Sequence, residues 1–149
     1  MLYVDTSVIV KLYIRETHSK EAAAFLKTNN EAIPLTRFHD LEFSNALRLK
    51  GFRGELTAEE VETILSRFGV HETKGVYFRP SIEWSQTLDQ AVGLANRHTQ
   101  SMGARSLDIL HVASAIVIGA DRFLTLDGRQ VELAGLAGLK LESFGVQSD

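Results

Sequence analysis

The stretch Leu2-Tyr3-Val4-Asp5-Thr6-Ser7 decides how the rest of the chain is interpreted. Three consecutive apolar residues are typical of a short buried strand. The helical spacing of Val8, Ile9 and Leu12 follows, so Asp5 lies between the end of a strand and the start of a helix. In parallel α/β sheets, ligands bind at this carboxyl edge of the strands. The stretch therefore predicts an α/β fold with a carboxylate at its functional edge.

Length and composition indicate an ordinary globular protein. The 149 residues suffice for one domain with its own core, and we expect a single domain over residues 1–149. Cysteine is absent, which excludes disulfides, thiolate zinc sites and cysteine nucleophiles. The longest apolar run, Ile109–Ala120, is too short to span a membrane, and an acid interrupts the apolar start of the chain. These features predict a cytoplasmic protein that does not associate with membranes.

The charge balance narrows the kinds of partner. The formal net charge is −3, so the chain as a whole is not basic in the way that many nucleic-acid-binding proteins are. RNA binding would then require carboxylates that hold a metal and a local groove of basic residues. A mildly acidic chain also suits a protein partner with a basic surface.

Strand-like and helix-like apolar spacings alternate along the chain, which predicts a mostly parallel sheet covered by helices on both faces. The predicted strands are Leu2–Val4, Ala32–Leu35, Val76–Phe78, Arg122–Thr125 and Leu139–Phe144. A long helix is predicted over Glu83–Met102, and its expected buried face is Trp84, Leu88, Ala91 and Ala95.

The helix predicted over Leu107–Ile118, with Ser106 as its cap, is apolar almost all round and is therefore expected to be buried. It nevertheless carries Asp108 and His111, which are three residues apart and so share one face. A buried acid requires either backbone amides or a cation as partner. This helix therefore makes Asp108 a second candidate functional acid.

Two further acids are expected at the same edge. Asp127 follows the predicted strand Arg122–Thr125 as Asp5 follows the first strand, and Glu42 lies near the start of a helix predicted over Phe38–Lys50. Four carboxylates at one edge would repel each other unless a divalent cation joined them. Magnesium prefers oxygen ligands, and such a site can activate a water and neutralise charge on a phosphodiester.

A simpler interpretation is open for the same acids. Asp5 and Asp127 also fit as helix N-caps, and Asp108 fits as a first-turn acid that the helix dipole favours. Taken singly, each acid suits capping, whereas their shared edge favours a metal site. The two interpretations are compatible.

Four segments together resemble the PIN domain, most closely the VapC-type toxin ribonucleases of bacterial toxin–antitoxin pairs. They are Val-Asp-Thr-Ser-Val at 4–8, Leu-Glu-Phe-Ser-Asn-Ala-Leu at 41–47, Leu-Asp-Ile-Leu-His-Val-Ala-Ser-Ala at 107–115 and Phe-Leu-Thr-Leu-Asp-Gly-Arg at 123–129. The resemblance covers nearly the whole chain in order and spacing. It implies a three-layer α/β/α fold with a central, mostly parallel sheet.

The resemblance also implies an activity and partners. The expected activity is that of an endoribonuclease dependent on Mg²⁺ or Mn²⁺, with Asp5, Glu42, Asp108 and Asp127 as catalytic and metal-binding residues. The expected partners are an RNA substrate, a cognate protein antitoxin and a second copy of the chain in a homodimer. The alternative is a non-catalytic PIN-like module that binds RNA or protein, in which the acids are helix caps.

Several other residues fit either a functional or a structural role. Thr6 and Thr125 match hydroxyl positions of the family beside the acids. His111 is expected to orient its neighbours, with proton transfer as the alternative. The cations at the end of the Phe38 helix could form an RNA-binding rim or interact favourably with the helix dipole: Arg48, Lys50 and Arg53. Phe52 and Leu56 could form an apolar dimer contact or simply pack on the core.

Overall fold

The computed structural model describes residues 1–144, in which strands and helices alternate as the sequence predicts. The elements in chain order are β1 (Leu2–Val4), α1 (Thr6–Lys11), α2 (Ser19–Thr28), β2 (Ile33–Pro34), α3 (Arg37–Phe52), α4 (Ala58–Thr73), β3 (Tyr77–Phe78), α5 (Trp84–Met102), α6 (Ser106–Val117), β4 (Arg122–Leu124), α7 (Gly128–Leu136) and β5 (Lys140–Glu142). They fall into two compact units.

The first unit consists of residues 1–5 and 80–144 and contains a three-stranded parallel sheet in the order β1-β4-β5. Tyr3 is paired with Phe123, and Phe123 with Leu141. The Asp5 amide donates to the Leu124 carbonyl at 2.9 Å, which extends the β1–β4 ladder by one residue. The ends of β1 and β4 therefore lie side by side.

The core of the first unit lies between this sheet and the buried helix α6. Tyr3 stacks on Phe123 with ring centroids 5.4 Å apart, and both side chains are fully buried. Helix α6 buries seven of its twelve residues, including Asp108 and His111. The buried helix predicted from its apolar composition is thus confirmed, and it brings two polar side chains inside with it.

The second unit, Thr6–Arg79, contains a two-stranded parallel sheet of β2 and β3 with helices α1 to α4. Phe43 of α3 stacks on Phe68 of α4 with centroids 4.2 Å apart, and Tyr13 meets both rings edge-on. The Thr57–Glu60 capping box that starts α4 is present, with the Glu60 amide donating to Thr57 Oγ1 at 3.1 Å. The aromatic contact joins the buried faces of α3 and α4, and the capping box determines where α4 begins.

The α/β class with parallel strands is confirmed, whereas two local predictions are wrong. Leu88 is 55% exposed, because the inward face of α5 is centred on Thr87 and Leu94. Ser106 is the first residue of α6 and not its cap, since the extended residue before the helix is Arg105. No helix among residues 1–144 is both long and apolar enough to cross a membrane.

Candidate functional site

Asp5 lies at the end of β1 and is only 4% exposed. Its Oδ1 is 3.1 Å from His111 Nε2, and its Oδ2 accepts a hydrogen bond from the Thr125 hydroxyl at 3.2 Å. A buried carboxylate is costly unless such partners hold it. The strand end and α6 therefore fix both oxygens of Asp5 in one orientation.

His111 connects Asp5 to the core of the sheet. It is 1% exposed, and its Nδ1 is 2.9 Å from the Tyr3 hydroxyl. Both ring nitrogens thus have a hydrogen-bonding partner, Nδ1 the Tyr3 hydroxyl and Nε2 the Asp5 carboxylate. The imidazole thus orients the Asp5 carboxylate.

Asp108 occupies the first turn of α6 and is 6% exposed. Its Oδ2 accepts from Arg105 Nε at 2.8 Å, and its Oδ1 accepts from Gln130 Nε2 at 3.2 Å. Burial alone raises the pKa of Asp108, but the hydrogen bonds from Arg105 and Gln130, with the Arg105 charge, outweigh it and lower the net pKa. Asp108 is therefore held as a carboxylate.

Asp127 is the N-cap of α7, as the capping interpretation predicts. Its Oδ1 accepts from the backbone amides of Arg129 at 2.8 Å and Gln130 at 3.3 Å. Its Oδ2 accepts from Arg105 Nη2 at 2.9 Å. Capping and membership of the acidic set therefore coexist in this residue, because the cap uses only one of the two oxygens.

Thr125 joins Asp127 to Asp5. Its hydroxyl accepts from the Asp127 amide at 3.0 Å and donates to Asp5 Oδ2 at 3.2 Å. Three of the four predicted acids thus belong to one hydrogen-bonded network in the first unit. We call this set, with its three acids and their bridging residues, the acidic network: Asp5, Thr125, Asp127, Arg105, Asp108, Gln130 and His111.

Glu42, the fourth predicted acid, lies on α3 in the second unit and is half-buried. Thr6 is buried at the start of α1, also in the second unit. The functional roles of both residues stay predictions.

Sequence reasoning overlooked two members of the acidic network. Arg105 stands three residues before Asp108, and Gln130 three residues after Asp127. The first spacing is a signal that could have been used, because residues at i and i+3 are neighbours around a helix start. Gln130 carried no such signal, since its partner Asp108 is 22 residues away.

The network suits a hard cation chemically. It contains three carboxylates and one guanidinium, which contacts only Asp108 and Asp127, and oxygen ligands are those that Mg²⁺ and Mn²⁺ prefer. Gln130 Oε1, buried beside Asp108, has no hydrogen-bond partner within residues 1–144. A metal-bound water is the kind of donor that such an oxygen requires.

The cations considered for an RNA-binding rim are mostly engaged elsewhere. Arg48 pairs with Glu62 at 2.6 Å, and Lys50 pairs with both Glu16 and Glu55. A phosphate would have to compete with these carboxylates. The contacts therefore favour the structural interpretation for Arg48 and Lys50.

Comparisons with known proteins agree with this fold. FitAcB from Neisseria gonorrhoeae is 12% identical, with a TM-score of 0.67 over 96% of this chain and 97% of that chain. VapBC2 from Rickettsia felis, solved with a DNA fragment from its promoter, is 16% identical, with a TM-score of 0.66 over 95% and 98%. At these identities the likeness shows the fold alone. No functionally curated protein matches the sequence significantly.

The sequence itself identifies the family. The model of the PIN domain matches residues 2–136, from β1 to the end of α7, and so includes all four predicted acids. The match runs through both compact units without a break. The family that the four segments resemble is thus confirmed, and the chain belongs to the PIN domain family.

Proposed function

We propose that this protein is a metal-dependent endoribonuclease and the toxin of a type II toxin–antitoxin pair. The observation that carries the proposal is the acidic network, in which Thr125 links Asp5 to Asp127 after the ends of two adjacent parallel strands, and Arg105 links Asp127 to Asp108 of α6. Members of the PIN family are generally metal-dependent nucleases, and the oxygen-rich donor set agrees with that chemistry.

The acids of the network have the following tasks in this proposal. Asp5 is the central ligand, since His111 and Thr125 already fix its orientation. Asp108 and Asp127 supply the remaining carboxylates of this unit, and Glu42 of the second unit is proposed as the fourth. A bound Mg²⁺ or Mn²⁺ supplies a Lewis acid that lowers the pKa of a water and neutralises charge on the phosphodiester.

The proposal includes partners and an arrangement of units. We propose that the two units act as a single domain, because one family match spans both. The resemblance to VapC-type toxins, together with the likeness to FitAcB and VapBC2, supports a protein antitoxin as partner. RNA as substrate, a cytoplasmic location and a homodimer follow from the same resemblance. The 88% exposed side chain of Phe52 on α3 is a candidate dimer contact.

Substitution of the central acid tests the activity. Purified Asp5→Asn should cleave total RNA in Mg²⁺ at least about 100-fold more slowly than wild type, because several kcal/mol of transition-state stabilisation are lost. Asp40→Asn is the matched control, since Asp40 is an acid that pairs with Arg79 outside the network. It should cleave normally, and EDTA should stop cleavage by the wild type. Wild-type rates for Asp5→Asn, or cleavage that persists in EDTA, would contradict the proposal.

The second candidate is a non-catalytic PIN-like module that binds RNA or protein. The observation in its favour is that Asp108 and Asp127 already have structural partners, Arg105 for both and the start of α7 for Asp127. In that case Asp5→Asn would change stability and leave no cleavage to lose. RNA that stays intact with the wild type in both Mg²⁺ and Mn²⁺ would favour this candidate.

A further inference from the structure

Arg105 is the cation of the acidic network. It directly precedes α6, and its guanidinium reaches both Asp108, through Nε at 2.8 Å and Nη2 at 3.3 Å, and Asp127, through Nη2 at 2.9 Å. One side chain of this chain thus already neutralises part of the charge that a divalent ion would neutralise.

The two sides of this contact differ in their freedom to move. The Asp108 side chain is 8% exposed, and Gln130 holds it from within, whereas the Arg105 side chain is 62% exposed. Asp108 is therefore held in place from within, while the Arg105 side chain can turn into solvent with its charge hydrated, provided that another cation takes its place at Asp108.

A guanidinium and a divalent ion compete for the same oxygen atoms. The lone pairs of Asp108 Oδ2 and Asp127 Oδ2 that accept from Arg105 are those that a cation at these two acids would use. Two cations close together on two carboxylates would also repel each other. Occupation of these oxygens by one cation therefore disfavours the other.

We propose that Arg105 is a built-in counter-cation that a divalent metal ion must displace from Asp108 and Asp127. The inference rests on the proposed function, since it concerns the same carboxylates. In the metal-free protein, Arg105 keeps the buried carboxylate of Asp108 paired and so preserves the fold of the network. The same contact lowers the affinity for metal, so the network releases its metal readily when no other ligand is present.

Metal binding in the absence of RNA tests this role. Mn²⁺ alone is titrated into the full chain, and the dissociation constant is measured by electron paramagnetic resonance of the free ion. Arg105→Gln should bind Mn²⁺ about threefold more tightly or better, because the competitor is gone. Arg105→Lys keeps the charge but lacks the fork that reaches both acids, so its affinity for Mn²⁺ should lie between those of wild type and Arg105→Gln.

Arg129→Gln is the matched control. It removes one positive charge two residues from Asp127, but the Arg129 side chain forms no ion pair within the described residues, and only its backbone amide contacts the acid. Its affinity for Mn²⁺ should stay within about twofold of wild type, since only a screened long-range charge is lost. An equal gain in Arg129→Gln and Arg105→Gln would mean that charge alone, and not displacement, controls affinity.

Thermal unfolding gives a second readout that includes folding. In EDTA, Arg105→Gln should melt below wild type, because Asp108 loses its cation, and Mn²⁺ should raise its melting temperature more than that of wild type. Unchanged or weaker Mn²⁺ binding by folded Arg105→Gln would overturn the inference. If the wild type still cleaves RNA with metal, the proposed function survives that result. Tighter binding by Arg105→Gln without any cleavage by wild type would support the inference and reject the nuclease.

Discussion

Two arginines of this protein each bridge two carboxylates, and the bridges differ in how exposed the arginine is relative to its acids. In the acidic network, Arg105 joins Asp108 and Asp127. In the second unit, Arg79 joins Glu72, through Nε and Nη2 at 2.8 Å each, and Asp40, through Nη1 at 2.9 Å. Each bridge consists of one guanidinium and two carboxylates, and Asp40 of the second bridge also contacts Arg37.

The exposure of the arginine relative to its acids differs between the two bridges. The Arg79 side chain is 34% exposed, much like Glu72, and also donates to a backbone carbonyl, so it is held as firmly as its acids. In the other bridge, Arg105 is 62% exposed while Asp108 is 8% exposed. An arginine that is held as firmly as its half-buried acids acts as a structural brace between them. An exposed arginine on a fixed acid can be replaced by another cation.

The largest expected difference between the two bridges is in the stabilisation that metal binding provides. At a Mn²⁺ concentration about 100 times the dissociation constant, linkage predicts stabilisation of about 2.7 kcal/mol, or a rise in melting temperature of roughly 5–10 °C. Glu72→Gln should keep this rise, since the Arg79 bridge takes no part in metal binding. Asp108→Asn should lose most of it, because a network ligand is gone.

Differential scanning calorimetry with Mn²⁺ and with EDTA provides the measurement. Each variant is compared with itself in the two buffers, so any loss of stability from the substitution cancels. A full rise in Asp108→Asn would show that metal binds elsewhere. Loss of the Mn²⁺-dependent rise in melting temperature in Glu72→Gln would show that the Arg79 bridge also contributes to metal binding.

The part of the acidic network that sequence could predict is the part that local rules determine. Asp5 and Asp127 each follow an apolar strand and precede a helix, so their place at the ends of β1 and β4 follows from spacing alone. Asp108 was identified because an acid in an apolar helix needs a partner. The PIN family, too, could be identified from four short segments, and the family match confirms it.

The connections within the network could not be predicted, because they join residues that are far apart in the chain. Thr125 reaches Asp5 across 120 positions, and His111 meets Tyr3 across 108. Such pairs depend on strand register and on the placement of α6, which a single sequence does not specify. The outward turn of Leu88 has the same cause, since apolar spacing gives a stripe but not its exact centre.

Removal of the brace should have a moderate effect on stability. Arg79→Gln should lower the free energy of unfolding by about 1 kcal/mol, because a bidentate, half-buried pair is worth more than a typical exposed one. Urea unfolding followed by circular dichroism measures the change, and Mn²⁺ should not restore it.

Arg37→Gln is the control for this brace. Arg37 also contacts Asp40, at 3.3 Å, but its side chain is 86% exposed, so its loss should stay within the experimental error. Equal losses in both variants would mean that general charge, and not the fixed geometry of Arg79, stabilises this region.

The smallest expected effect is the dependence of the brace on pH. The hydrogen bond from Arg79 lowers the pKa of Glu72 from its ordinary value of 4.5, against the opposing effect of burial. The folded state thus favours the carboxylate, and the resulting stability is present above the unfolded pKa and lost as pH falls through the folded pKa. At about pH 6 the free energy of unfolding of wild type should exceed that of Glu72→Gln by only a few tenths of a kcal/mol, because solvent screens the pair. Urea unfolding over this range should show the difference shrink below about pH 4. A constant difference would mean that Glu72 acts by packing and that the bridge at Arg79 is not an electrostatic one.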